Sequence, residues 1–215
     1  MASASCCRWR GSIRRTKKSK GEITMKQKLL RLALLAGGLA FGLPAFAAGV
    51  ATPAMLSSSC NACHGTDGNS AGLSNPTIAG FGADYLETAM KQFKSGERPS
   101  SVMGRLAKGY DEAQLKAMAD FFASKKFVAA KQAFDATKAK QGAKLHDKSC
   151  KMCHGNGGKL GVNGVLAGQW RDYLGVTLAE YRSGKRKAPE MMAKALTSMS
   201  EADLAALTDY YASQQ

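Results

Sequence analysis

Two five-residue stretches carry the reactive side chains of this chain: Cys60-Asn61-Ala62-Cys63-His64 and Cys150-Lys151-Met152-Cys153-His154. Two thiols separated by two residues and followed at once by an imidazole form the attachment sequence for haem c. The gap matches the reach between the two haem vinyl groups, to which the thiols add. The histidine is then held under the iron as its proximal ligand. Other uses of these residues fit less well. A redox dithiol belongs in a strand-bearing βαβ context, and strand alternation is nearly absent from this sequence. A structural zinc takes four ligands in tetrahedral array; each stretch offers three, and pooling the two stretches leaves two over.

Octahedral iron takes a sixth ligand from the opposite face. Of the three histidines, two are already used. His146 lies four residues before Cys150, has no counterpart near the first motif, and reads as a surface or packing residue. Methionine is the alternative, since its thioether ligates iron and raises the reduction potential. Met103 stands in "RPSSVMGRLAKGYDE", and Met191 and Met192 stand in "KAPEMMAKALTSMSE". Met103, Leu106, Ala107 and Tyr110 share one helical stripe, and Met192, Ala195, Leu196 and Met199 repeat it. Counting from Met191 would put Lys194 and Ser198 on that stripe instead. Counting forward from Ser183-Gly184 is the register that favours Met191; helix phase favours Met192. Met90, Met118, Met152 and Met199 read as core or surface fillers.

The elements that must position these residues occur twice. "DYLETAMKQFKSGERP" from Asp84 pairs with "DYLGVTLAEYRSGKRK" from Asp172, "TIAGFGADYL" from Thr77 with "VLAGQWRDYL" from Val165, and "DEAQLKAMADFFAS" from Asp111 with "SEADLAALTDYYAS" from Ser200. Two homologous modules follow, joined by a Lys/Ala-rich connector around 125–140. Each module reads as mostly helix. Asp111 with Gln114, and Ser200 with Asp203, have the spacing of a helix-capping box. Behind these caps, Leu115, Met118, Ala119 and Phe122, and likewise Leu204, Leu207, Thr208 and Tyr211, repeat at helical spacing. Further helices are expected over Tyr85–Lys94 and Tyr173–Arg182. Modules of roughly 80 residues with few strands bury a thin apolar core, which a large bound group would complete.

The 215-residue chain carries a net charge of +15, but this basicity is concentrated at one end. From Met25 a basic start (Lys26, Lys28, Arg31) leads into an apolar run and then Ala45-Phe46-Ala47, the form of a secretory signal peptide cleaved after Ala47. Leu29 to Ala47 is long enough to span a bilayer, yet Gly37, Gly38, Gly42 and Pro44 interrupt it. Residues 1–24 are polar and basic and read as a non-native extension ahead of the true start at Met25. Ten of the 31 Lys/Arg and one of the 16 Asp/Glu fall in residues 1–47, so the remainder carries +6. A scattered excess of that size does not call for nucleic acid. Of the six cysteines, Cys6 and Cys7 leave with this segment and the other four are all in the motifs. An exported protein meets an oxidising compartment where exposed vicinal thiols do not stay free.

Several blocks resemble one family: "CHGTDGNS", "FKSGE", "SSVMGRLAKGY", "GAKLHDKSCKMCH", "LAGQW" and the terminal "YYASQQ". They are similar to diheme class I cytochromes c and, within that group, to the cytochrome subunits of flavocytochrome c sulfide dehydrogenases. The resemblance implies an all-α fold of two tandem class I cytochrome c domains, over 48–128 and 129–215, each around a covalently attached haem. It implies two haem c groups bound through Cys60, Cys63, Cys150 and Cys153, with His64 and Met103 on one iron and His154 and Met192 on the other. It further implies a periplasmic electron-transfer subunit with no membrane span in the mature chain and no reaction of its own. Its partners would be an FAD-bearing flavoprotein sulfide dehydrogenase subunit, as a heterodimer, and a soluble cytochrome c acceptor. A free-standing cytochrome c4-like carrier feeding a terminal oxidase shares every haem residue. A diheme haem enzyme would instead need an open sixth position. One position departs from the family pattern. The proline whose carbonyl accepts a hydrogen bond from the proximal histidine is Pro76 in the first module, and Gly164 replaces it in the second.

Overall fold

The computed structural model describes residues 51–215 together with Met25. The extension over 1–24 and the signal peptide over 25–47 therefore lie outside the described residues, Met25 apart. Nine helices are named here in chain order: α1 Pro53–Ser58, α2 Asn61–His64, α3 Ala83–Ser95, α4 Met103–Ala107, α5 Glu112–Ala123, α6 Ala136–Ser149, α7 Arg171–Arg182, α8 Glu190–Thr197 and α9 Glu201–Ala212. Among the described residues there is no strand, and no helix is long and apolar enough to cross a membrane.

The last helix of each module begins where its residues dictate. The Asp111 carboxylate accepts from the Gln114 N–H at 2.8 Å, and the Gln114 side-chain oxygen accepts from the Asp111 N–H at 2.9 Å. Ser200 and Asp203 close the same reciprocal box at the start of α9. Each box satisfies two N–H groups that a helix start otherwise leaves without partners. Behind the caps the apolar stripes turn inward. Leu115, Met118, Ala119 and Phe122 are buried in α5, and Leu204, Leu207, Thr208 and Tyr211 in α9.

Those stripes organise the packing. α5 lies against α1 and α3, and α9 lies against α6 and α7. The second core gathers Leu174, Leu196, Met199, Leu204, Leu207 and Tyr211. The first gathers Phe81, Leu86, Ala119 and Phe122, together with Val165 from the other module. Met192 and Ala195 are half-buried, and Leu196 and Met199 buried, so that stripe faces inward as its spacing predicts. The matching stripe in the first module is cut short, because α4 ends at Ala107 and Leu106 is exposed.

A buried polar seam joins the modules. The Gln169 side chain donates to the Thr77 carbonyl at 2.8 Å and accepts from the Thr77 N–H at 2.9 Å. Neither residue is reached by solvent to any extent, at 0% and 1% exposure. Trp170 adds its indole N–H to the Ser70 carbonyl at 3.0 Å, and the Gly82 N–H donates to the Gly161 carbonyl at 2.7 Å. The connector is held as well. Asn69 accepts from the Val128 N–H and donates to the Lys126 carbonyl, and the Ala130 N–H donates to the Gly168 carbonyl.

α6 and α9 come close at Gly142, where a Cβ would stand 2.7 Å from the Tyr210 Cβ and inside contact distance of the Ala206 carbonyl oxygen. Gly142→Ala is expected to force the two helices apart at a cost of about 1–3 kcal/mol, the usual range for an overpacked core. Urea unfolding followed by far-UV circular dichroism checks this. An unchanged midpoint would show that the crossing tolerates a methyl group.

Candidate functional site

Both Cys-x-x-Cys-His stretches fold into the same single turn. The Cys63 and His64 N–H groups donate to the Cys60 carbonyl at 3.2 and 2.9 Å, and Cys153 and His154 donate to the Cys150 carbonyl at the same distances. Residues three apart in such a turn share a face, so each thiol pair is directed to one side. The first thiol of each pair is half-buried and the second exposed. Burial pushes the Cys60 and Cys150 thiols above their ordinary pKa. Among the described residues no three His, Cys, Asp or Glu side chains converge as ligands of a bare metal ion would.

The two histidines differ in what holds them. His64 Nδ1 lies 2.8 Å from the Pro76 carbonyl, so its N–H donates there and leaves Nε2 with a free lone pair. His154 Nδ1 is buried with no hydrogen-bond partner. Gly164, in the place of Pro76, has φ 85° and offers that ring no carbonyl. Burial pushes both imidazoles below the usual histidine range, with the Pro76 bond opposing it at His64. Neutral imidazole at pH 7 is the form that donates to a metal.

Around His154 the chain forms a largely apolar cavity. Cys150, Cys153, His154, Leu178, Leu196 and Met192 all line it, and it holds about 650 Å³ of space outside the atoms, part of it open to solvent. Two thiols, an imidazole and a thioether on one apolar cavity fit the edge, the iron and the plane of a haem. Met191 lines the cavity too, but it is 63% exposed, whereas Met192 packs against the second core. In the first module Cys60 packs on the Phe81–Phe122 core. Met103 is half-buried at the start of α4, its N–H bonded to Ser100 Oγ at 2.9 Å, and α4 packs on α3.

Sequence reasoning left the surroundings of Cys150 undetected. His146, 2% exposed, is a packing residue and not a surface one. Its Nδ1 lies 2.9 Å from the Tyr211 hydroxyl, and Cys150 packs against the core cluster that contains Tyr211. Burial lifts Tyr211 well above the usual phenol range, so it stays protonated. The only trace of this in the sequence is a histidine eight residues before His154 and the terminal Tyr210-Tyr211 pair. Neither carries a spacing signal, because 65 residues separate the partners.

Residues 52–126 match the cytochrome c family, and residues 137–210 match the family described as cytochrome c oxidase, cbb3-type, subunit III. Cytochrome c4 of Azotobacter vinelandii is 31% identical over 209 residues, spanning 86% of this chain and 98% of that protein. The cytochrome subunit of sulfide dehydrogenase of Chlorobaculum tepidum is 50% identical over 68 residues, which is 32% of this chain. In that comparison the chain spans 61% of the relative's length. Among solved structures, reduced recombinant cytochrome c4 from Pseudomonas stutzeri superposes with a TM-score of 0.65 at 28% identity. It covers 74% of this chain and 95% of that one.

Tyr211→Phe is expected to leave His146 Nδ1 buried without its partner and to lower stability by about 1–3 kcal/mol. His146→Phe combined with Tyr211→Phe removes both polar groups and is expected to cost less than the two single changes added together. A urea-unfolding double-mutant cycle reads this; additive effects would show that the pair does not interact.

Proposed function

Because the chain belongs to the diheme c-type cytochromes related to cytochrome c4, we propose that it is the electron-transfer subunit of a sulfide-oxidising complex. It has two cytochrome c domains, whose proposed limits are 48–128 and 129–215, and it is an electron carrier with two covalent haem c groups. Cys60, Cys63, His64 and Met103 would hold one haem, and Cys150, Cys153, His154 and Met192 the other. When bound, each haem supplies a one-electron couple. The chain's own residues attach it, orient the histidine and close the sixth position with a thioether. A closed position leaves no site for substrate, so the chain by itself is not an enzyme.

In this proposal a flavoprotein carrying FAD oxidises sulfide and pairs with the chain as a heterodimer. Electrons enter the chain one at a time, cross the seam between domains and leave to a soluble cytochrome c. The mature protein is periplasmic, cut after Ala47. The observation that carries the sulfide assignment is the 50% identity to a sulfide dehydrogenase cytochrome subunit. A free-standing diheme carrier of the cytochrome c4 kind is the second reading, and the span of that similarity, 98% of the relative, favours it.

Purification of the native protein from periplasm separates the two. An equimolar larger subunit, flavin absorbance and haem reduction on adding sulfide are expected. A single haem-staining band, free of flavin and inert to sulfide yet reducible by ascorbate, would establish the free carrier. The ligand assignment has its own test. Met192→Ala is expected to open one haem to carbon monoxide in the reduced protein, and Met191→Ala to leave both closed; the reverse pattern would move the ligand to Met191.

A further inference from the structure

Among the described residues Arg186 is a cation without a counter-ion. It is 6% exposed, and none of the ion pairs among the described residues includes it. Its guanidinium lies over the Tyr181 ring, with Cζ 4.3 Å from the centroid, and donates to the Tyr85 hydroxyl of the other module at 3.2 Å, while Tyr173 lines the same cavity. The acids nearby are otherwise engaged or outside pairing distance. Lys185 pairs with Glu180 and Lys187 lies 4.0 Å from Glu97, while Glu190 lines the adjacent cavity without pairing to Arg186. A guanidinium has five donors in a planar fork. These aromatic neighbours satisfy part of that fork and none of the charge.

Burying an unpaired charge is strongly unfavourable, and an anion restores the balance only when it meets the charge with good hydrogen-bond geometry. The space for an anion is present. Arg186, Tyr85, Tyr173 and Tyr181 line a cavity between the modules that also reaches Cys153 and His154, with about 1430 Å³ outside the atoms, part of it open solvent. Haem carries two carboxylate side chains, and Arg with carboxylate forms the bidentate pair that this fork matches. We propose that Arg186 is a binding residue for a carboxylate of the haem held by His154, and that this pairing places a positive charge at the seam between the domains. The assignment rests on haem attachment at Cys150, Cys153 and His154.

The module repeat supports the design. Arg98 stands 88 positions before Arg186, over the Phe93 ring at 4.5 Å, as Arg186 stands over Tyr181. Both backbones make the same turn, with the Arg98 N–H on the Gln92 carbonyl and the Arg186 N–H on the Glu180 carbonyl. Arg98 lines the same cavity but is only half-buried, so the buried member of the pair is the one that most needs an anion.

The test uses the full holoprotein. Arg186→Gln keeps a polar side chain and removes the charge; Arg186→Lys keeps the charge. Haem content is measured first, and fewer than two haems in the unaltered protein would overturn both the attachment and the clamp. Spectroelectrochemical titration then resolves the two haems. Arg186→Gln is expected to weaken reduction of one haem about tenfold, which for a one-electron couple is a downward shift of about 59 mV, with the other haem moving much less. Arg186→Lys is expected to stay within about twofold of the unaltered protein, since it restores the buried charge. With both haems present, unshifted potentials in Arg186→Gln, or equal shifts in both variants, would overturn the clamp.

Discussion

The two-way hydrogen bond between the Gln169 side chain and the Thr77 backbone is the joint on which the arrangement of the two modules depends. It satisfies both the N–H and the carbonyl of a residue with 1% exposure. A buried peptide group left unpaired costs about 1–3 kcal/mol, so this contact selects one docking geometry over its neighbours. Everything that lies between the modules inherits that geometry. The Arg186–Tyr85 contact and the cavity shared by both modules exist only in this arrangement.

The joint is possible because the two copies have diverged where they meet. Phe81-Gly82 in the first copy stands where Gln169-Trp170 stands in the second. Phe81 enters the first core, and Gly82 lets the Gly161 carbonyl approach its N–H at 2.7 Å. Gln169 and Trp170 instead reach across the seam to Thr77 and Ser70. A pair of identical copies would have offered either two apolar faces or two amides. The asymmetry extends to the proximal histidines, one bonded to Pro76 and one without a partner. A hydrogen bond at that nitrogen orients the ring and raises its basicity as a ligand, so the two haem positions are chemically unequal although their motifs match.

Much of the helical frame was legible in the residues. The capping boxes and the stripes of α5 and α9 are local features, set by side chains three or four positions apart. Their hydrogen bonds close within one turn, so no distant partner was needed to read them. The stripe from Met103 was legible only in part, because α4 ends at Ala107, three residues short of Tyr110, and Leu106 faces out. Whether His146 sat on the surface or in the packing stayed open for a related reason: its partner Tyr211 is 65 residues away.

The sequence by itself determined the chemistry this chain can hold: two thiol pairs, each with an adjacent imidazole, repeated on a duplicated helical module. That information lies in residue types at fixed short spacing, and covalent geometry translates it directly. Only the tertiary structure decided which modules touch and what they enclose. The Gln169–Thr77 pairing, the unpartnered His154 nitrogen and the uncompensated Arg186 depend on groups 92 and 101 positions apart or on the absence of a partner among the described residues. Burial makes these groups consequential, since in water each would find a hydrogen bond or counter-ion, and inside the fold it has only what the packing provides.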